Sequence, residues 1–146
     1  MKQTFTINGF DHHLLINDNE RTLLIDTGSP FSIFNGSDFE FLGTHVSKGL
    51  LPMSPDTISN LLGTHVDALV GNDMLQQISV LVDYSQGTIA FSDEELSLPG
   101  SQSITLGRSF GIPKVTMQLR GQEGNFFLDT GAKISYTSRS EERRVG

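Results

Sequence analysis

The sequence predicts an all-β protein, and three features of the chain support this class. Its apolar runs are short, rich in β-branched and aromatic residues, and separated by Gly, Asn, Asp and Ser, which is typical of strands joined by turns. Only two segments, which begin near Ser54 and near Asn72, have the start signals of helices. The strand pattern begins again after residue 103, which indicates an internal duplication of one all-β unit.

The strands of the first copy are predicted to form hairpins. The Asn8-Gly9 dipeptide is a strong hairpin turn signal, and it follows an alternating segment at residues 5–7. Two further pairs of apolar segments flank turns: residues 14–16 and 23–25 around the turn at 17–20, and residues 80–82 and 88–91 around the turn at 85–87. Hairpins are therefore expected to be the main building block of this copy.

Two short helices are expected between these hairpins. Ser54, which precedes a proline, is typical of an N-cap, and Gly63 is typical of the residue that ends a helix. Asn72 or Asp73 is expected to cap a second helix that continues through Leu75. Neither helix is long enough to change the fold class.

Composition excludes several kinds of function. The 146 residues contain no cysteine, so disulfides, thiolate nucleophiles and cysteine metal sites are absent. The formal net charge of −7 argues against a nucleic-acid-binding protein, which normally has a basic face. No apolar run reaches the length of about 18 residues that indicates a transmembrane helix, and residues 1–6 lack an apolar signal-peptide segment. We therefore expect a cytoplasmic protein with no membrane or nucleic-acid partner.

The internal duplication sets the expected domain boundaries. Residues 23–29 align without a gap on residues 126–132 at an offset of 103, and Ser32 then falls on Ser135. Upstream, residues 5–7 are expected to correspond to residues 115–117, with a shorter hairpin in the second copy. The predicted organisation is a first unit at residues 1–96, a linker rich in Ser, Pro and Gly at 97–103, and a partial second unit at 104–138.

The last eight residues, 139–146, differ in character from the rest of the chain. They resemble the translated read-through of a common sequencing adapter, so we leave them out of the fold prediction. We expect the natural protein to continue beyond Ser138. On this interpretation the second unit is truncated, and its exposed strands could lead to self-association.

A distinctive motif occurs once in each copy. Three apolar residues are followed by Asp-Thr-Gly and then by Ser or Ala, first at Asp26 and again at Asp129. A single Asp-Thr-Gly could be no more than a turn after a buried strand. Two copies at matched positions resemble the signature of the aspartic proteases, both retropepsin-like and pepsin-like. Residues 66–75 also resemble the apolar-apolar-Gly strand and short helix that follow the motif in retropepsin-like proteases.

This resemblance implies a fold and a chemistry. The fold would consist of closed, barrel-like lobes of the acid-protease type, the first nearly complete and the second partial. Asp26 and Asp129 would be the two catalytic carboxylates of an endopeptidase. Because two neighbouring carboxylates share one proton, the ionised one can take a proton from water while the protonated one polarises the scissile carbonyl. The substrate would be a polypeptide in extended conformation, and the reaction would need no cofactor and no metal.

The residues that follow each aspartate have supporting roles in this interpretation. The resemblance implies that Thr27 and Thr130 hydrogen-bond to the opposite loop and fix the spacing of the two loops. Gly28 and Gly131 permit a tight turn and let backbone N–H groups approach the carboxylates. These four residues would position the pair without reacting themselves.

The two motifs differ at their fourth position. Ser29 is expected to hydrogen-bond the outer oxygen of Asp26, whereas Ala132 cannot do the same for Asp129. The two carboxylates should therefore have different environments. The sequence leaves open which of them holds the shared proton.

Two features favour other functions. Between Ser29 and Leu69 a protease normally carries a flap that closes over the substrate, but this stretch is short, and we could expect only a reduced flap at residues 44–51 with Gly43 and Gly49 as hinges. The alternative function is therefore a non-catalytic, protease-like module that binds an extended peptide. A third interpretation is self-association of the chain through its partial second unit.

The histidines do not form a recognisable metal site. His12 and His13 are adjacent on a predicted strand, so their side chains should point to opposite faces. His45 and His65 lie in a repeated Leu-Gly-Thr-His-Val segment, but no third ligand follows at the spacing that zinc requires. We therefore predict that the protein binds no metal.

Overall fold

The computed structural model describes residues 1–10, 12–49 and 51–133, and these form mainly β-strands with two short helices. The all-β class is confirmed. Ser135, the end of the predicted second unit at 134–138 and the segment 139–146 lie outside the described residues. In chain order the elements are β1 (Lys2–Thr6), β2 (Asn8–Phe10), β3 (His13–Asp18), β4 (Arg21–Ile25), β5 (Ile33–Phe34), β6 (Asp38–Phe41), β7 (Thr44–Ser47), α1 (Pro55–Leu62), β8 (Ala68–Val70), α2 (Asn72–Leu75), β9 (Ser79–Asp83), β10 (Thr88–Ser92), β11 (Gly107–Ser109), β12 (Ile112–Leu119) and β13 (Gln122–Phe127).

A five-stranded sheet with the order β2-β3-β4-β8-β5 forms the centre of the first unit. Its strands are antiparallel except for β4 and β8, which pair in parallel. Side chains alternate between the two faces, so Leu23 and Ile25 belong to one apolar cluster and Leu24 belongs to another. A sheet that is apolar on both faces must be covered on both faces.

The first face is covered by two other sheets and by helix α2. The three-stranded sheet β1-β10-β9 and the hairpin β6–β7 contribute aromatic side chains to this core. Phe41 and Phe91 meet edge-on with ring centroids 5.2 Å apart, and Phe34 stacks on Phe39 at 5.3 Å. Such aromatic pairs add about 0.5–1.5 kcal/mol to the stabilisation from burial. This core holds strand β4 firmly up to the residue before Asp26.

Helix α1 covers the opposite face, and it has the predicted bounds. Ser54 is the N-cap, since its hydroxyl accepts a hydrogen bond from the N–H of Thr57 at 3.4 Å. Gly63 ends the helix in the left-handed conformation that glycine favours, at φ +78°. The buried Ile58 packs with Leu24 and Leu69 of the sheet. In the second helix, α2, the N-cap is Gly71 rather than Asn72 or Asp73, which was our prediction.

The second unit consists of a three-stranded antiparallel sheet with the order β11-β12-β13. It is separated from the first unit by residues 93–106, which contain neither helix nor strand and include the predicted linker. Val115 is buried, but Met117, Phe127 and Leu128 are exposed. Among the described residues, therefore, the apolar side chains of this sheet are covered only in part.

The predicted hairpin turn at Asn8-Gly9 is wrong. Both residues lie within strand β2, and the chain turns after Phe10, where His12 has a positive φ of +67°. Strand β1 does not pair with β2 but with β10, at the far end of the first unit. A strand partner from distant sequence thus overrides a strong local turn signal.

The upstream alignment of the two copies is also wrong. Ile16 pairs with Leu23, and Val115 pairs with Phe126, the residue that aligns with Leu23. Val115 therefore corresponds to Ile16 at an offset of 99 (115 against 16), not to Phe5. The offset changes to 103 because the second hairpin is four residues longer. Strands β2-β3-β4 and β11-β12-β13 are therefore equivalent, a duplication of structure as well as of sequence.

The flap is not at residues 44–47, where we expected it to begin. These residues form strand β7, whose hairpin partner β6 contributes the buried Phe39 and Phe41 to the core. Leu42 and Gly43 form the tight turn between β6 and β7, with φ of +52° and +78°. Leu50, in the remainder of the expected flap, lies outside the described residues. Only residues 35–37 connect β5 to β6, which leaves no room there for a projecting hairpin.

The strands of the described residues form four separate sheets, and none of them closes into a barrel. Within the same residues, no helix has the length and apolar character needed to cross a bilayer.

Candidate functional site

Asp26 and Asp129 occupy equivalent positions in the two units, each just after a strand. Asp26 follows β4, and its N–H donates to the carbonyl of Val70 at 3.0 Å, which continues the parallel pairing of β4 with β8. Asp129 follows Leu128, which is the first residue after β13. The N–H of Leu128 donates to the carbonyl of Pro113 at 2.9 Å. The two loops that begin at these aspartates meet face to face.

The two threonines join the loops by four reciprocal hydrogen bonds. The Thr27 N–H donates to Thr130 Oγ1 at 3.0 Å, and the Thr130 N–H donates to Thr27 Oγ1 at 3.0 Å. Each hydroxyl also donates to a carbonyl of the opposite strand end: Thr27 to Leu128 at 2.6 Å, and Thr130 to Ile25 at 2.7 Å. The hydrogen bonds that the resemblance implied are therefore present, and they fix the spacing of the two loops.

The two glycines make room for the carboxyl groups. Gly28 N–H donates to Asp26 Oδ1 at 2.8 Å, and Gly131 N–H donates to Asp129 Oδ1 at 2.9 Å. A Cβ on Gly28 would overlap the carboxyl group of Asp129, and a Cβ on Gly131 would overlap that of Asp26. Neither glycine has a positive φ. Glycine is needed here for space, not for the tight turn that we expected it to permit.

The two carboxyl groups interact directly but are not equally buried. Asp26 is half-buried, whereas Asp129 is exposed. The pKa of Asp26 is raised from 3.8 to about 6, first by burial and then by the charge of Asp129 and a hydrogen bond between the two side chains. The N–H groups of Gly28 and Gly131 act against this shift. Asp26 therefore holds its proton into the mildly acidic range, where an ordinary aspartate is ionised.

The first two residues of helix α2 hydrogen-bond to the Asp26 loop. The side-chain amide of Asn72 donates to the carbonyls of Thr27 at 2.6 Å and Ser29 at 2.9 Å. The carboxylate of Asp73 accepts from the N–H of Ser32 at 3.0 Å and from its hydroxyl at 2.6 Å. From the sequence, the side chains of Asn72 and Asp73 had only an expected capping role, whereas the resemblance of residues 66–75 to the retropepsin-like proteases implied that this short helix supports the Asp26 loop.

The fourth motif positions differ from expectation. The Ser29 hydroxyl donates to the carbonyl of Phe31 at 2.7 Å instead of to Asp26, because the loop turns back on itself at this point. The backbone turns are alike in both loops: Ser29 N–H reaches the Asp26 carbonyl, and Ala132 N–H reaches the Asp129 carbonyl, each at 3.3 Å. The serine therefore does not create the difference between the two aspartates.

The histidines remain separate from this site. The Nε2 atom of His45 lies 3.7 Å from a carboxylate oxygen of Glu40, and Nε2 of His65 lies within hydrogen-bond distance of Asp67, at 2.9 Å. The described residues contain no group of three His, Cys, Asp or Glu side chains arranged to hold a metal.

The structure also explains the repeated Leu-Gly-Thr-His-Val segment. At both occurrences of the segment the glycine, Gly43 or Gly63, has a φ of +78°. The side chains that follow alternate between the two faces, so Val46 and Val66 face the core. The repeat is thus a turn followed by a half-buried strand or strand-like segment, with an exposed histidine.

The arrangement as a whole can do one kind of chemistry. Two hydrogen-bonded carboxyl groups with unequal burial can share a proton, and one can act as an acid while the other acts as a base. The comparisons with protein-family models, curated proteins and solved structures found no match to this chain.

Proposed function

We propose that this protein is an aspartic-type endopeptidase in which Asp26 and Asp129 activate a water molecule. One observation carries the proposal: two Asp-Thr-Gly loops from different halves of the chain are joined by reciprocal threonine hydrogen bonds, with their carboxyl groups in contact. A turn that only ended a strand would not need a second copy facing it. The proposal includes barrel-like lobes of the acid-protease type and a cytoplasmic location.

The unequal burial of the two carboxyl groups suggests a role for each. Asp26, whose pKa is raised to about 6, would hold the proton and donate it toward the carbonyl oxygen of the scissile bond. Asp129, which is exposed, would be the base that accepts a proton from water as the water oxygen attacks the carbonyl carbon. The C–N bond then breaks as that proton passes to the leaving amine, and Asp26 takes back a proton from a hydroxyl of the tetrahedral intermediate as the new carboxyl group forms. Neither a metal nor a covalent intermediate is needed. Because the pair is coupled, its titration belongs to both groups together.

The substrate class follows from the same geometry. A peptide would lie across the two loops in extended conformation, because extended backbone offers hydrogen bonds to both halves of a cleft at once. An unstructured polypeptide can present such a segment, whereas a folded protein presents it only in exposed loops.

A second candidate function is a non-catalytic module that binds an extended peptide. The hairpin β6–β7 favours this function, because it packs Phe39 and Phe41 into the core. A protease instead needs a mobile hairpin, the flap, that closes over the substrate. Without a cover, water can enter the site freely and weaken the electrostatic interactions there. Self-association of the chain through the uncovered sheet of the second unit is the third candidate.

The test is hydrolysis of an unstructured polypeptide labelled at both ends, measured between pH 4 and pH 7. We expect Asp26→Asn and Asp129→Asn each to lower the rate by more than about a hundredfold, since residues that act as a unit cannot replace each other. Asp56→Asn on helix α1 makes the same change of charge at an exposed position and serves as the control.

Three outcomes distinguish the candidates. Loss of hydrolysis in both site variants but not in the control supports the endopeptidase. Binding of the labelled polypeptide without cleavage supports the peptide-binding module. Activity that rises with the square of protein concentration supports self-association, since two chains would then form the active species. Separately, equal cleavage by the wild type and the Asp129→Asn variant would disprove a two-carboxylate mechanism.

A further inference from the structure

Asn72 is unusual among the polar residues of this protein because its side chain is nearly fully buried, with 2% of its surface exposed. It is the first residue of helix α2, but Gly71 is the N-cap, so the Asn72 side chain has no capping role. Its amide makes two hydrogen bonds to the Asp26 loop, to the Thr27 and Ser29 carbonyls, and its backbone N–H makes a third, to Ser29 at 2.9 Å.

These hydrogen bonds match what the loop requires. The carbonyls of Thr27 and Ser29 both point toward helix α2 and are part-buried, and carbonyls that are shielded from water need donors. An asparagine amide has two N–H groups on one nitrogen, so one short side chain can serve both. The two carbonyls lie on either side of Gly28, the residue in contact with Asp129. Asn72 therefore holds the part of the loop that faces the opposite carboxyl group.

Asn72 also lies against the second unit. A Cβ placed on Gly111, in the turn between β11 and β12, would lie 3.3 Å from the Cβ of Asn72, so the two backbones are close. Gly111 has a φ of +81°, a conformation that favours glycine. One side chain thus contacts both halves: the Asp26 loop through hydrogen bonds, and the turn that precedes β12 through packing.

We propose that Asn72 is a positioning residue that fixes the Asp26 loop relative to the second unit. The proposal rests on the proposed endopeptidase function for its kinetic part only. Without the amide, the Ser29 carbonyl would keep the backbone N–H of Asn72, but the Thr27 carbonyl would lose its donor. The Thr27 carbonyl would then have to turn toward water, and the loop would shift by a fraction of an ångström or more. Asp26 would then be misplaced relative to Asp129 and more exposed to solvent.

The test uses Asn72→Leu in the full chain. Leucine is close to asparagine in volume, so packing against Gly111 is kept while both donors are removed. We expect kcat to fall at least about tenfold with KM nearly unchanged, because misplacement of a reacting group by about 1 Å can cost on the order of a hundredfold. In a carbon-13 NMR titration of the carboxyl groups we expect the pKa of Asp26 to fall toward its ordinary value, because burial is the main cause of its raised value.

The controls separate positioning from simple stability. Asn60→Leu makes the same replacement on the exposed face of helix α1 and should change neither kcat nor the Asp26 titration. A lower melting temperature in Asn72→Leu with unchanged kcat and unchanged Asp26 titration would overturn the proposal. Asn72→Ala is the second variant if leucine prevents folding, and loss of cooperative unfolding in both would make Asn72 a purely structural residue, which also overturns it.

The NMR titration keeps this proposal independent of the proposed function. If the wild type cleaves no polypeptide, the endopeptidase proposal fails, but the pKa of Asp26 still reports on the loop. A fall of that pKa in Asn72→Leu would then support the positioning role, and no change would refute it.

Discussion

The loops that carry Asp26 and Asp129 have the same Asp-Thr-Gly sequence and the same internal hydrogen bonds, but they are supported differently. In both, the glycine N–H binds the aspartate of its own loop, and the threonine hydroxyl reaches across to the other loop. Beneath the Asp26 loop lies helix α2, with Asn72 and Asp73 bound to it. After Asp129, the described residues contain neither helix nor strand.

The sheets behind the loops differ in the same way. Leu24 and Phe127 are equivalent by register, yet Leu24 is 3% exposed and Phe127 is 56% exposed. Ile25 and Leu128, the residues before the two aspartates, are 1% and 42% exposed. The motif alone therefore determines the hydrogen bonds of each loop, whereas the elements that follow it determine burial.

Burial in turn produces the electrostatic difference between the aspartates. The raised pKa of Asp26 results first from its burial and only second from the charge of Asp129. The serine at position 29, which seemed from the sequence to distinguish the two sites, does not bind either carboxyl group. The layers packed around the Asp26 loop thus raise the pKa of its aspartate, an effect that the Asp-Thr-Gly motif by itself does not produce.

The largest expected effect concerns the cores behind the two loops. Leu24→Ala should lower the free energy of unfolding by about 2–5 kcal/mol, the usual cost of removing a buried leucine side chain. Phe127→Ala should change it by less than about 0.5 kcal/mol, as is usual for exposed positions. Urea unfolding of the two variants measures the difference. Equal losses would mean that in solution the sheet β11-β12-β13 is covered after all.

A second, smaller effect tests the symmetry of the two glycines. Gly28→Ala and Gly131→Ala should each lower proteolytic activity by about a hundredfold, because the new methyl group must push the opposite carboxyl group out of place. Gly9→Ala is the matched control, since a Cβ at that position meets nothing within 4 Å. Retained activity in either site variant would show that the loops are more loosely coupled than their hydrogen bonds indicate.

The sequence predicted those parts of the fold whose signals are local and unopposed. Ser54 and Gly63 bound helix α1 as expected, because cap residues act through their own hydrogen bonds and backbone angles. The pairing of Asp26 with Asp129 followed from the repeated motif. By contrast, the turn signal at Asn8-Gly9 failed because β1 found its partner in β10, about 80 residues away in sequence, which no local pattern reveals.

The resemblance of residues 66–75 implied that this helix supports the Asp26 loop, but the sequence could not predict which side chains provide the support. Nothing in the Asn72 position by itself shows that its amide turns toward the Thr27 and Ser29 carbonyls, since that depends on the parallel pairing of β4 with β8. The flap prediction failed at β7 because an alternating hairpin sequence is compatible both with a projecting hairpin and with one packed on the core. In the structure the hairpin is packed, since Phe39 and Phe41 are buried.

A third effect, on the order of 2 kcal/mol, concerns stability and pH. The pKa of Asp26 is higher in the folded protein, at about 6, than the ordinary value of 3.8. The folded state therefore binds this proton more tightly, so the contribution of Asp26 to stability is complete below about pH 4 and is lost as pH rises through about 6. One pKa unit corresponds to about 1.4 kcal/mol, and partial exposure reduces the total.

Asp26→Asn measures this contribution. The asparagine cannot ionise, so the variant should gain stability relative to the wild type as pH rises from 4 to 7, with urea unfolding as the measurement. In Asp129→Asn the charge next to Asp26 is removed but its burial remains, so part of the pH dependence should persist. A wild-type stability that rises through this range relative to Asp26→Asn would mean that the pKa of Asp26 is lowered instead.

The smallest expected effect, a difference of about tenfold or less in activity, compares the two threonines. Thr27→Val and Thr130→Val each remove one hydroxyl and two hydrogen bonds while keeping the β-branched shape. The Thr27 hydroxyl holds the backbone of the Asp129 loop, to which Asn72 and Asp73 make none of the hydrogen bonds that they make to the Asp26 loop. The Thr130 hydroxyl holds the Asp26 loop, which Asn72 also holds.

Thr27→Val should therefore lower kcat/KM more than Thr130→Val does, although both should lose similar unfolding free energy, about 1–3 kcal/mol for two hydrogen bonds. Adding Asn72→Leu to each variant sharpens the comparison, because it removes the second support of the Asp26 loop. With Asn72 replaced, the Thr130→Val defect should increase toward that of Thr27→Val. If Thr130→Val were already the more damaging single change, the Asp26 loop would depend mainly on the cross-loop hydrogen bonds, and helix α2 would contribute little to holding it.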